Sequence, residues 1–212
     1  WAMRAAVVDA DIEFGDADVQ ANYRQQLREV VQRDWNRPSV ALWSIANESG
    51  WDDAFATAGA LVNELDPTRP TIFNHDAYSE SDPWHDEFDV RSHHYPAFRA
   101  GSTVDEHSNL ADPVLFDEYA HGYCYNDEEL VTDPGLRDQW GVPFEQIWEA
   151  CRDGDSVAGA AIWAGGDHLE QWGEYLWGVL DRNRRPRPEY YHVKKVYSPV
   201  RITNVSWDGT EA

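Results

Sequence analysis

The 212 residues are enough to bury a single-domain core without disulfides or metals, and 42% of them are hydrophobic, including 11 Trp, 10 Tyr and 7 Phe. The formal net charge is -22, spread along the chain at Asp9/Asp11/Glu13, Asp52/Asp53, Asp86/Glu87 and Asp127–Glu129, which argues against nucleic acid and anionic membrane as partners. No run approaches the roughly 18 apolar residues of a membrane helix.

Apolar Ala5–Asp9 reads as the first strand. Asp18–Trp35 follows as a helix, with Tyr23, Leu27, Val30, Val31 and Trp35 on its apolar face. Val40–Ala46 is the second strand, and a helix over Asp53–Leu65 is stopped by Asp66-Pro67. Thr71–Asn74, Phe88–Ser92 and Val114–Asp117 are strands, the first two each running into a loop rich in His, Tyr or Asp. Phe144–Cys151 is a helix, Ala158–Trp163 the sixth strand, and Pro188–Tyr197 the final helix. Alternation of strand and helix predicts a parallel α/β sheet. The spacing matches the roughly 30 residues per unit of a (β/α)8 barrel, so the expected fold is an incomplete TIM barrel holding about strands 3 to 8. The competing doubly wound sheet lacks its glycine-rich phosphate turn.

The chain opens at Trp1 close to an apolar run and closes in strand-like Val200–Trp207. A piece of a longer protein is therefore expected, with 1–199 as the last two-thirds of the barrel. Residues 200–212 would begin a following β-sandwich domain or linker. Lysine occurs only at Lys194 and Lys195. A dispersed, acidic, lysine-poor surface of this kind resembles that of halophilic proteins. Cys124 and Cys151 form no framework and are expected to be free thiols. They leave the compartment open, with the cytoplasm favoured.

Two strands end in a glutamate, Glu48 in SVALWSIANESGW and Glu118 in PVLFDEYAH. A parallel strand that delivers a carboxylate at its C-terminal end is where barrel enzymes keep their chemistry. A pair of such carboxylates is what glycosidic bond cleavage requires, one as acid and one as nucleophile or base. Any single strand-end glutamate is more simply a surface acid. Two of them, flanked by Asn, Tyr and His and three βα units apart, are not. Aromatics near Glu48, Trp43 and Trp51, are expected to form an apolar pocket around it.

RPSVALWSIANESGW and PVLFDEYAH resemble the acid/base and nucleophile segments of glycoside hydrolase family 2, the β-galactosidase, β-glucuronidase and β-mannosidase group. WGVLDRNRRPRPEYYHVKKVYS is similar to that family's last barrel strand and helix. The resemblance implies a retaining exo-β-glycosidase with Glu48 as general acid/base and Glu118 as nucleophile. It further implies Asn47 on the sugar 2-hydroxyl, Tyr95 on the nucleophile, His121 on a substrate hydroxyl and Trp163 under the pyranose ring. A core-filling role for Trp163 is an even alternative. In the β-galactosidase branch a glutamate and, two residues on, a histidine hold Mg²⁺. Glu13 stands in the first place, but Gly15 replaces the histidine, so Mg²⁺ or a monovalent cation is left in doubt.

His93 and His94 are adjacent on a strand, point to opposite faces and make no metal pair. The segment Gly122–Gly141, with Tyr123, Tyr125, Asn126 and Trp140, either lines sugar subsites or shields the barrel edge. The partner is a carbohydrate, and a homo-oligomer is possible through the longer protein. The acidic surroundings favour a neutral sugar, β-galactoside first, with β-glucuronides, β-mannosides or arabinosides as alternatives. The competing class is a carbohydrate-binding relative without activity, which would have no use for two carboxylates at the anomeric carbon.

Overall fold

The structure, a computed structural model, describes residues 15–74, 87–96, 104, 110–120, 133–170, 173–202 and 206. It opens with helix α1, Ala17–Asp34. Asp16 caps this helix by accepting the amides of Asp18 and Val19 at 2.7 and 3.2 Å, satisfying donors that a helix start leaves without partners. Tyr23, Leu27 and Val31 recur at helical spacing and are buried, and the Tyr23 hydroxyl donates to the Ile45 carbonyl at 2.7 Å.

The next strand, β1, spans only Trp43–Ser44. The Arg69 guanidinium takes the Val40 carbonyl at 2.8 Å and the Arg37 carbonyl accepts the Val40 amide at 3.1 Å, which keeps this end out of the ladder. Past β1 the backbone pairing continues, Ile45 N–H to Ile72 at 2.8 Å and Asn74 N–H to Ala46 at 3.2 Å, as far as the turn that carries Glu48. Helix α2, Asp53–Leu65, has the expected bounds, because Asp52 accepts the Ala54 amide at 2.8 Å and Asp66-Pro67 closes the other end.

Four more strands follow: β2, Thr71–Phe73, β3, Val90–His94, β4, Val114–Tyr119, and β5, Val157–Ile162. They pair in the order β1-β2-β3-β4-β5, every pairing parallel. Strand order therefore follows chain order with no reversal, which is the winding of a (β/α)8 barrel and not of a doubly wound sheet. The described residues hold five of its eight strands, and the expected strand Ala5–Asp9 lies outside them.

Helices α3, Pro134–Gln139, α4, Gly141–Asp153, and α5, Pro188–Val196, complete the helical layer, and a hairpin pairs β6, His168–Glu170, with β7, Gly173–Tyr175. Helix α3 and the hairpin have no counterpart in the sequence reading, since elements of six and three residues are too short to show a period. One apolar cluster joins α1 and α2 to β1 and β2, and a second joins α4 to β4. Among the described residues no helix is long and apolar enough to cross a membrane.

Strand β4 gains a residue on both neighbours towards its C-terminal end. From Ser92↔Leu115 to His94↔Glu118, β3 advances two residues and β4 three; from Phe116↔Ala160 to Tyr119↔Ile162, β4 again advances three against two on β5. The extra residue interrupts the strict up-and-down alternation of a strand. Asp117 and Glu118, adjacent in sequence, can then serve the same neighbour.

Candidate active site

Three chain segments leave the sheet at its C-terminal end in a left-handed conformation: Glu48 (φ 45°), Tyr95 (φ 49°) and Ala120 (φ 55°). Such backbone costs a side chain-bearing residue about 1–3 kcal/mol and persists only where surrounding contacts enforce it. At Glu48 the enforcement is visible. The Asn74 carboxamide oxygen accepts the Glu48 amide at 3.1 Å, and the Asn74 carbonyl accepts the Ser49 amide at 3.2 Å. Asn74 is itself buried, and its Nδ2 donates to Ser92 Oγ at 2.7 Å, while Ser92 donates to Asp117 Oδ1 at 2.5 Å. A polar chain thus runs from the backbone of Glu48 across β2 and β3 to β4.

His94 is the meeting point of the acids. Its side chain is 1% exposed, with Nδ1 at 3.0 Å from Glu48 Oε1 and 3.6 Å from Glu118 Oε2, and Nε2 at 3.5 Å from Asp117 Oδ1. Burial disfavours the charged ring, but hydrogen bonds and charge from Asp117, Glu48 and Glu118 outweigh it and push His94 up to about 9. At neutral pH the ring is an imidazolium, a donor at both nitrogens. Burial likewise raises Glu118, assisted by the charges of Glu48 and Asp117, while His94 and the Tyr95 hydroxyl pull it back. That hydroxyl donates to Glu118 Oε2, and the Tyr95 amide donates to the Glu118 carbonyl at 2.8 Å.

Glu48 and Glu118 each place a carboxylate oxygen within 4.8 Å of the other and of a His94 nitrogen. One imidazole and two carboxylates are also the donor types of a cation site. In this arrangement Nδ1 lies within hydrogen-bond distance of Glu48 Oε1, at 3.0 Å. The Mg²⁺ site implied by the family resemblance would draw on two positions near the start of the chain. Glu13 lies outside the described residues, and exposed Gly15 has no side chain to complete it.

Of the other expected site residues, Asn47 is half-buried at the end of β1, its carbonyl accepting the Ser49 hydroxyl at 3.0 Å. Trp163 is half-buried after β5, its amide donating to the Tyr119 carbonyl at 3.0 Å and its ring 6.5 Å from that of Trp177. His121 and most of the segment after it, with Tyr123, Tyr125 and Asn126, lie outside the described residues. Trp140 is core: it is buried, stacks on Phe144 at 4.3 Å, and donates its indole N–H to the Ala120 carbonyl at 3.1 Å.

The expected aromatic pocket does not enclose Glu48, and Trp51 packs with Phe55, Phe73 and Phe88. Trp43 is buried with its indole N–H on Asp66 Oδ2 at 3.0 Å, and the Glu48 side chain remains 44% exposed. Among the described residues, the His94 ring faces Glu48 at 3.0 Å. Asn74, Ser92, His94 and Asp117 were missed as site residues. The one available signal was position, since Asn74 and His94 are polar residues at strand ends.

Two expectations follow directly. Asn74→Ala removes both hydrogen bonds of a buried side chain and should destabilise the chain by about 1–3 kcal/mol, read as a lower Tm, while releasing the Glu48 backbone. Stability should also fall as pH rises from about 6.5 to about 9, the ordinary and the folded values of His94. In that window the folded chain holds a proton that the unfolded chain releases, and the raised Glu118 acts in the same direction at lower pH. Chemical denaturation across the window tests this; a flat profile contradicts a charged His94.

The match of a family model described as "Glycosyl hydrolases family 2, TIM barrel domain" extends over residues 2–202. The β-galactosidase of Thermoanaerobacterium thermosulfurigenes is 30% identical over 208 residues, covering 88% of this chain and 27% of the relative. That of Kluyveromyces lactis is 26% identical over 217 residues, covering 92% and 20%. Among solved structures, a GH2 β-galacturonidase from Eisenbergiella tayi aligns with a TM-score of 0.69 at 20% identity, over 89% of this chain and 38% of that one. The β-D-glucuronidase of Dictyoglomus thermophilum aligns at 0.63 and 20% identity, over 85% and 36%. Likeness at that level concerns the fold. The chain spans 27% or less of the length of these curated relatives. The match over 2–202, together with the unreversed parallel strands and the paired glutamates at their ends, shows that the chain belongs to the family 2 glycosyl hydrolases, in their TIM barrel domain.

Proposed function

We propose that the protein carrying this chain is a retaining exo-β-glycosidase that removes terminal β-linked sugars, β-galactosides foremost. The observation that carries this reading is the carboxylate pair. An oxygen of Glu48 approaches one of Glu118 within 4.8 Å, a nearest approach that accords with the carboxyl separation of about 5–5.5 Å used in retention. Glu118 then attacks the anomeric carbon as a carboxylate, while Glu48 gives its proton to the departing glycosidic oxygen. In the second step Glu48 takes a proton from water, and the resulting nucleophile displaces Glu118 and restores the β configuration.

Each neighbour has a part in this reading. The Tyr95 hydroxyl holds the oxygen of Glu118 that does not attack. Asn47 bonds the sugar 2-hydroxyl, a contact that strengthens as the oxocarbenium ion develops. Trp163 underlies the ring, and His121 reaches a second hydroxyl. Curated relatives named β-galactosidase support the galactoside preference. The charge of -22 adds to it by disfavouring an anionic uronide.

A 2-deoxy-2-fluoro-β-galactoside with a good leaving group tests the proposal, because fluorine slows the second step and strands the glycosyl-enzyme. Peptide mapping should find one equivalent of fluorosugar on Glu118. No covalent adduct together with no hydrolysis of any aryl β-glycoside would instead indicate a carbohydrate-binding protein.

A further inference from the structure

His94 has no part in that mechanism, yet among the described residues it is the most enclosed ionisable group of the site. Resting on the glycosidase reading above, we propose that His94 is a positioning residue whose buried ring clamps the Glu48 and Glu118 carboxylates at the separation that retention needs. When both are ionised, two carboxylates this close repel, and on their own they would swing apart or share a proton. A 1%-exposed ring with Nδ1 at 3.0 Å from one and 3.6 Å from the other removes that repulsion.

The ring itself is held from behind. Asp117 Oδ1 lies 3.5 Å from Nε2 and also accepts the Ser92 hydroxyl, which receives Asn74 Nδ2. The extra residue in β4 is what allows this, since Asp117 and Glu118 would otherwise face opposite sides of the sheet. The Tyr95 ring closes one edge of the imidazole at 5.6 Å and 70°. Among the described residues, the groups facing His94 are Glu48 beyond β1, Asp117 and Glu118 on β4, and Tyr95 on its own segment. Three are acids, so the imidazolium gives up its proton only at alkaline pH, and the clamp should open with it.

The test compares wild type, His94→Asn and Glu118→Ala in the protein that carries this chain. Asparagine keeps one donor at the position but cannot be charged. His94→Asn should lower kcat by about 10- to 100-fold, as for a displacement of the order of 1 Å at the reacting groups, with KM within about 2-fold. It should slow labelling of Glu118 by the fluorosugar to the same extent and shift the alkaline limb of kcat/KM, which then reports the ionisation of Glu48 alone. A second measurement needs no His94 variant to fold. In ¹⁵N-imidazole NMR of wild type, both ring nitrogens should carry protons at pH 7, and Glu48→Gln should move the titration of the ring to lower pH. His94→Asn with wild-type kcat and pH profile, or a ring titrating near 6.5 and indifferent to Glu48→Gln, overturns the clamp. If wild type neither hydrolyses nor labels, the glycosidase reading itself falls. In that case Glu118→Ala looks no different from wild type, so the two failures are told apart.

Discussion

Glu118→Ala should abolish turnover, with kcat reduced on the order of 10⁴- to 10⁶-fold, because the first bond to the anomeric carbon can no longer form. The fold should survive. Glu118 lies at the end of β4, whose core contacts come from Val114, Phe116 and Tyr119, and burial already makes its charged form unfavourable. Truncation leaves a space on the face from which the carboxylate attacked. Azide entering it should restore part of the activity towards aryl β-glycosides with good leaving groups and give the α-glycosyl azide, the product of a single displacement. Substantial turnover by Glu118→Ala without azide would remove Glu118 from the nucleophile role.

Glu48→Ala should behave in the opposite way. General acid–base assistance is worth about 10²- to 10⁴-fold, so hydrolysis of substrates with poor leaving groups should fall by that factor. A dinitrophenyl leaving group needs no protonation, so its glycoside should still form the intermediate rapidly, release one equivalent in a burst and then stall. Azide should relieve the stall and give the β-glycosyl azide, since a second displacement follows the first. The stereochemistry of the two azide products therefore assigns the roles independently of any rate. A β-azide from Glu118→Ala with an α-azide from Glu48→Ala would exchange them.

Loss of the Glu48 carboxylate should also relieve the crowding of acids around His94. Its ring would then be held charged less firmly, and the decline in stability between about pH 6.5 and 9 should become shallower.

Much of this molecule was legible in the residues. The 3.6-residue recurrence of Tyr23, Leu27 and Val31 located α1, and Asp52 with Asp66-Pro67 delimited α2. Short apolar runs marked all five strands of the parallel sheet, and the family resemblance marked the glutamates at two of their ends. These features are local: a helix face, a cap or a strand end is encoded within a dozen residues. The divergence of His93 and His94 was also local, and the His93 ring indeed packs edge-on against Phe116 at 5.9 Å while His94 joins the carboxylates.

Other features depended on which distant residues meet. Trp140 belonged to a segment that could line sugar subsites or shield the barrel edge, and its stacking on Phe144 and bond to Ala120 make it core. Trp43 looked like a wall for Glu48 and is instead tied to Asp66, 23 positions along the chain. The Asn74–Ser92–Asp117 relay joins three strands through hydrogen bonds that no periodicity encodes. The extra residue of β4 is invisible without the neighbouring ladders, since register is a relation between strands. The sequence by itself determined the alternating α/β pattern, the helix bounds and the two glutamates, because backbone propensity and local periodicity act over short spans. Only the tertiary structure decided that one buried histidine stands between those glutamates, because burial and charge at a site are set by side chains brought together from separate strands.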